Sequence, residues 1–81
     1  MIHARKDYNR IQDPDGLIPS DEPVFLLRGQ DILAPSLLKL WARRLLKKGG
    51  DPHMAEIVMN HADAMKTWQR NVKKKLPDLI S

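Results

Sequence analysis

Apolar positions are densest between Asp21 and Ala42, in the run DEPVFLLRGQDILAPSLLKLWA, and their spacing changes along the chain. Val24-Phe25-Leu26-Leu27 is an unbroken block, a pattern open to a short helix or a buried strand. Ser20 or Asp21 can cap a helix there, with Glu22 and Pro23 in the first turn, where proline's missing N–H is not needed. A single strand has no evident neighbour to receive its hydrogen bonds. A short helix over residues 21–29 is therefore expected.

From residue 34 the apolar residues adopt helical spacing. Pro35 lies near a first helical position, and Asp31 can cap an earlier start. Leu37, Leu38, Trp41 and Leu45 form one stripe, flanked by Leu40 and Leu46, with Lys39, Arg43 and Lys47 opposite. Lys47-Lys48 followed by Gly49-Gly50 supplies a dipole-complementing last turn and a left-handed stop, which predicts a helix over 34–48. Asp51 caps the next helix and Pro52 takes its first position. Met54, Val58, His61, Met65, Trp68 and Val72 then recur by four and three, with Ile57 and Leu76 beside them, until Pro77, so this helix is expected over 51–76. The short Gly49-Gly50-Asp51 link predicts an antiparallel helical hairpin, with Trp41, His61, Met65 and Trp68 on its core or oligomer seam.

Residues 1–19 show no sustained period and read as an N-terminal arm with at most one helical turn, ahead of a helical domain over 20–81. Asp13-Pro14-Asp15-Gly16 has proline and glycine where a turn needs them, and lacks the further ligands of a calcium loop. The expected class is all-α: an irregular arm, a short helix and a helical hairpin.

Composition adds one constraint. A chain of 81 residues buries only around 60% of the surface its unfolded form exposes, and with no cysteine it has neither disulfides nor thiolate zinc sites to compensate. Homo-oligomerisation is the remaining remedy. No apolar run approaches the roughly 18 residues of a membrane span, and Met1 to Arg10 lacks the apolar segment of a secretory signal, so a cytoplasmic location is expected. The net charge of +4 is banded: 0 over residues 1–20, −2 over 21–35, +5 over 36–50, −3 over 51–65 and +4 over 66–81.

The basic bands raise nucleic acid as a partner, with Lys39, Arg43, Lys47, Arg70, Lys73 and Lys74 as phosphate contacts. In an antiparallel hairpin the two helix ends point opposite ways, roughly 25 to 30 Å apart at 1.5 Å per residue, and each cluster already complements a helix dipole. The solvated reading is favoured. His53 and His61 are eight apart rather than the four of a two-histidine helix site, so no metal is expected. Met54, Met59 and Met65 read as adaptable packing. Ser20 and Ser36 stand at helix starts, Asp21 and Glu22 beside a helix N-terminus, and no nucleophile motif or phosphate loop occurs, so neither catalysis nor a cofactor is expected.

Arg28-Gly29-Gln30-Asp31 remains without a full structural account. The guanidinium can pair with Glu22 or Asp31, the favoured reading, or present its fork to an anion. Gln30, with Tyr8, Asn9 and Arg10 in the arm, adds amide donors and an aromatic face suited to a base and phosphate. Tyr8, Arg10, Arg28 and Gln30 are the candidate ligand contacts.

DEPVFLLRGQD and GGDP, together with HADAMKTWQ, resemble small bacteriophage and prophage proteins over residues 8–78. The resemblance brings no residue roles. It implies a phage setting, in which very small cysteine-free proteins inhibit host defence, sequester nucleotide signals or regulate. The leading expectation is a non-enzymatic binding protein that occupies a host protein or a nucleotide-like ligand. A nucleic-acid-binding regulator and a structural assembly subunit are the alternatives.

Overall fold

The computed structural model describes residues 1–11 and 13–78, with the side chains of Asn9 and Arg10 outside that description. Two helices, α1 (Ala34–Lys47) and α2 (Pro52–Asn71), pack against each other. A parallel two-stranded sheet, β1 (Ile2–His3) and β2 (Pro23–Val24), accompanies them, and a 3-10 helix spans Lys6–Arg10. The fold is mostly helical.

The start of α2 follows its sequence signals. Asp51 is the N-cap, its carboxylate accepting the His53 N–H at 2.9 Å, and Pro52 follows at the first position. The end of α1 is equally local. Gly49 has φ +80, its N–H donates to the Leu46 carbonyl at 3.0 Å, and the Gly50 N–H donates to Leu45 at 2.8 Å. These are the paired bonds of a Schellman motif, which needs a residue free to take a left-handed conformation. A Cβ at Gly50 would also meet the Leu45 side chain, so both glycines have a geometric reason to be there.

The expected helix over 21–29 is absent. Pro23–Val24 is a strand instead, because the arm supplies the neighbour that the local pattern could not reveal: Ile2 pairs with Pro23 and His3 with Val24, and the Ile2 N–H donates to the Glu22 carbonyl at 2.9 Å. Ser20, Asp21 and Glu22 thus cap no helix. The arm is accordingly structured, carrying β1, the 3-10 helix and the turn at Asp13. There the Gly16 N–H reaches the Asp13 carbonyl at 3.0 Å, and the Asp13 carboxylate accepts from Ile18 at 2.8 Å.

Helix α2 ends at Asn71, five residues before the expected 76. Pro77 is not what stops it. The Lys75 N–H donates to the Gln30 carbonyl at 2.9 Å and the Lys75 carbonyl accepts from Ile32 at 3.2 Å, so the backbone bonds that would extend the helix serve a bridge to the segment before α1.

The core also lies one residue round from the expected seam. Ala34 and Ala42 on α1 and Ala55, Ala62 and Met65 on α2 are buried, with Leu38, Leu45, Val58 and Met59 half-buried. Trp41 (45% exposed), His61 and Trp68 (41% exposed) are at the surface, so of that set only Met65 is core. Alanines let two helices approach closely, and a tryptophan cannot fit in the resulting gap. Among the described residues no large side chain is fully buried. No helix is long and apolar enough to cross a membrane among them.

Lys39 and Asp63 join the two helices at 2.8 Å. The hydrogen bond and charge of Lys39 hold the Asp63 carboxyl below its ordinary pKa. A depressed carboxylate stabilises the fold above the unfolded-state pKa and loses that contribution as pH falls through the folded value. Asp63→Asn is therefore expected to flatten the acid side of a stability-versus-pH curve below about pH 4, where carboxylates titrate, and to leave the basic side unchanged. Ala62→Leu, which inserts volume at a fully buried position, is expected to cost about 1–3 kcal/mol in urea unfolding, whereas Leu46→Ala, at a half-exposed position, should cost less than about 1 kcal/mol.

Candidate functional site

The segment Arg28–Asp31 is held from behind by the C-terminal end of α2 and the residues after it. Gln69 uses one amide nitrogen twice, donating to the Gly29 carbonyl at 2.9 Å and to the Asp31 carbonyl at 2.7 Å. Lys75 adds the backbone bridge on either side of Asp31. Asp31 then turns the chain into α1: its carboxylate accepts the Leu33 N–H at 2.8 Å and its carbonyl accepts from Ala34 at 3.1 Å. A segment with neither helix nor strand around it thereby has its backbone groups satisfied.

Gln30 and Asp31 are buried, at 6% and 8% exposed. The Gln30 side-chain oxygen is buried with no hydrogen-bond partner. An unmet buried acceptor costs about 1–3 kcal/mol and gains a donor when a ligand supplies one. Arg28 is half-buried; its carbonyl accepts the Asp31 N–H at 3.0 Å, while its side chain makes no hydrogen bond or ion pair among the described residues. The favoured pairing with Glu22 or Asp31 is not formed, since Asp31 is turned to the Leu33 N–H.

Arg28 and Gln30 stand where three clefts meet. The most enclosed is a cavity of about 60 Å³ lined by Tyr8, Phe25, Leu26, Arg28, Gln30 and Asp31, with Arg5, Lys75 and Asp78 at one side. A second, about 400 Å³ and open, runs along α2 past His61, Met65 and Trp68. A third, about 410 Å³, contains Asp7, Tyr8, Ile11, Leu26 and Lys73. Tyr8, Arg28 and Gln30 converge as the candidate site requires. The Arg10 side chain lies outside the described residues.

Tyr8 is fixed by its neighbours. The His3 ring meets it edge-on with centroids 6.3 Å apart, and the Arg5 guanidinium lies 4.8 Å from its ring centre. That guanidinium grips Asp7 with two bonds, at 3.0 and 2.7 Å, and donates a third to the Asp78 carbonyl at 3.1 Å. Its bond to Asp7 raises the Arg5 pKa, partly opposed by desolvation. Lys75 closes the other side through its 3.1 Å ion pair with Asp78. Sequence reasoning does not single out Arg5, Lys75 or Asp78. Their only local signals are the Arg5–Asp7 and Lys75–Asp78 spacings, which are common on any surface.

The alternative phosphate contacts divide differently. Lys39 is engaged by Asp63. Arg43 and Lys47 are exposed on α1, Arg70 is exposed in the last turn of α2, and Lys73 and Lys74 are exposed after it. Lys73 alone of these lines a cleft with Arg28. His61 is exposed rather than half-buried, and no group of three or more metal-ligating side chains occurs among the described residues.

Gln69→Leu keeps the side chain's bulk but leaves the Gly29 carbonyl without its Gln69 bond and the Asp31 carbonyl with only the Ala34 N–H. The expected result is a loss of about 1–3 kcal/mol in denaturant unfolding, with faster amide exchange at Asp31, Ile32 and Lys75. Compared with family models, curated proteins and solved structures, the chain matches none.

Proposed function

We propose that this protein is a non-enzymatic binding protein of phage type that sequesters a nucleotide-like ligand, held at Arg28, Gln30 and Tyr8. The observation that carries the reading is one braced segment on which the Arg28 guanidinium is unpaired and the Gln30 amide oxygen is buried without a partner, both residues lining the same clefts. Arg28 suits a phosphate, whose planar fork contacts are charge-assisted and strong. Gln30 lines the same clefts as a polar side chain suited to a base edge. Apolar Leu26 with Tyr8 offers cover for the base.

Three further parts belong to this reading. The two helices form an antiparallel hairpin: Ile32 meets Lys75, Lys39 meets Asp63, and the turn at Gly49-Gly50 closes the series, so partners fall along α2 as they rise along α1. The chain is a homo-oligomer, since its helical pair leaves large apolar side chains at the surface. It acts in the host cytoplasm as an inhibitor of a host process, the role its resemblance to small phage proteins implies.

A second reading, a nucleic-acid-binding regulator, draws support from Lys73 beside Arg28, with Lys74 and Arg70 close in sequence. One series of measurements separates the two. Mono-, di- and cyclic nucleotides are expected to raise the midpoint of thermal unfolding, by about 2.7 kcal/mol of stabilisation at a ligand concentration a hundred times Kd. Arg28→Ala should fold within about 0.5 kcal/mol of the parent, because the side chain has no internal partner, and should lose the ligand shift. Absence of any nucleotide shift, with duplex DNA binding that falls steeply with salt, would replace the first reading by the second.

A further inference from the structure

On one side of the helical pair, Leu37, Leu40 and Trp41 of α1 and Met54 and Val58 of α2 line an open groove of about 560 Å³, with Phe25 and Leu27 from the segment before α1. Leu27 also lines the neighbouring cleft along His61, Met65 and Trp68, so the two depressions share a wall on that side. Helical spacing extends the stripe: Met54, Val58, His61, Met65 and Trp68 fall within one narrow sector of α2. None of these five is an Asp, Glu, Lys or Arg. The same spacing turns Arg43 of α1 and Glu56, Asp63 and Arg70 of α2 to the opposite side; among the described residues Arg44 is the one charged side chain lining the groove, and Arg28 the one lining the neighbouring cleft.

We infer that this face is covered by a second copy of the chain, in a two-fold dimer in which each protomer's Phe25 and Trp41 pack into the other's groove. This rests on the self-association already proposed and names its surface. The face is self-complementary in kind, because it carries both a protruding aromatic, Phe25 at 73% exposed, and an apolar groove beside it. A two-fold axis uses one patch twice, so each protomer's knob meets the other's hole. The area is adequate: Phe25, Leu37, Leu40, Trp41, Met54 and Trp68 are each 38% to 73% exposed, and together they leave an apolar patch of several hundred Å², the scale that marks an interaction surface. The deficit being covered is intrinsic to the chain, since no large described side chain is fully buried within one protomer. A second copy is the partner present whenever the chain is made.

The test is sedimentation of the full chain with three variants. Wild type is expected to be a dimer at micromolar concentration. Trp41→Glu and Phe25→Glu should each raise the dimer dissociation constant roughly thirtyfold or more, the scale of losing an interface anchor. Leu46→Glu, on the opposite side of α1, should leave it unchanged. Phe25 is exposed enough that its variant keeps the helical circular dichroism of the parent even if Trp41→Glu does not fold. Diluting wild type through its dissociation range should shift tryptophan emission to the red as Trp41 and Trp68 become wet. A wild type that remains monomeric at 100-fold higher concentration overturns self-association altogether. A wild-type dimer that survives Phe25→Glu, or is lost equally with Leu46→Glu, overturns this face while leaving self-association intact.

Discussion

The Gln69 carboxamide is the fixed point of this structure. By donating to the carbonyls of Gly29 and Asp31 from the last turns of α2, it holds an otherwise unsupported stretch of backbone at a set height above the helical pair. The Lys75 bridge adds a second attachment on the same segment. Both the entry to α1 and the candidate site depend on that anchorage. Asp31 leads into α1 from this segment through its bond to the Leu33 N–H, and Arg28 and Gln30 on the same clamped backbone line the clefts. Rigid support behind and unmet polar groups in front is the arrangement a binding site needs, since ordering a floppy loop on binding would cost affinity.

Parts of this are readable in the residues and parts are not, for physical reasons. The start of α2 and the end of α1 depend on Asp51-Pro52 and Gly49-Gly50, whose effects act within one turn, so sequence alone locates them. The strand at Pro23–Val24 depends on Ile2–His3, about twenty residues away and too short to register as a pattern. The end of α2 falls short of Pro77 because Lys75 leaves the helix for a backbone partner at Gln30, which no helix-stop rule anticipates. The site shows the same division. Arg28 and Gln30 stand out because nothing nearby explains them, and Tyr8 by its chemistry. Arg5, Lys75 and Asp78 owe their place to tertiary contacts between the two ends of the described chain.

The packing of α1 on α2 shows how a periodic pattern can mislead. Both the alanine line and the methionine–tryptophan line recur at helical spacing, and they are offset by one position. Apolar bulk suggests that the larger residues face inward. Close helix approach favours the smaller ones, and the larger residues are displaced to the flank, where they become surface. A hydrophobic stripe therefore identifies a face that wants covering without saying whether the cover comes from the same chain.

The Arg5 bond to the Asp78 carbonyl spans 73 residues, and the β1–β2 pairing also joins distant segments. Helices gather local contacts within microseconds, whereas such closures lose more chain entropy before they gain a contact. Closing the arm against the other end of the described chain is thus the entropically demanding part of this fold, and the cavity at Tyr8 is enclosed by that closure. Arg5 and Tyr8 of the arm form one wall of the cavity at Arg28 and Gln30, so the tie from Arg5 to Asp78 makes the enclosure of that cavity a joint property of both ends of the described chain.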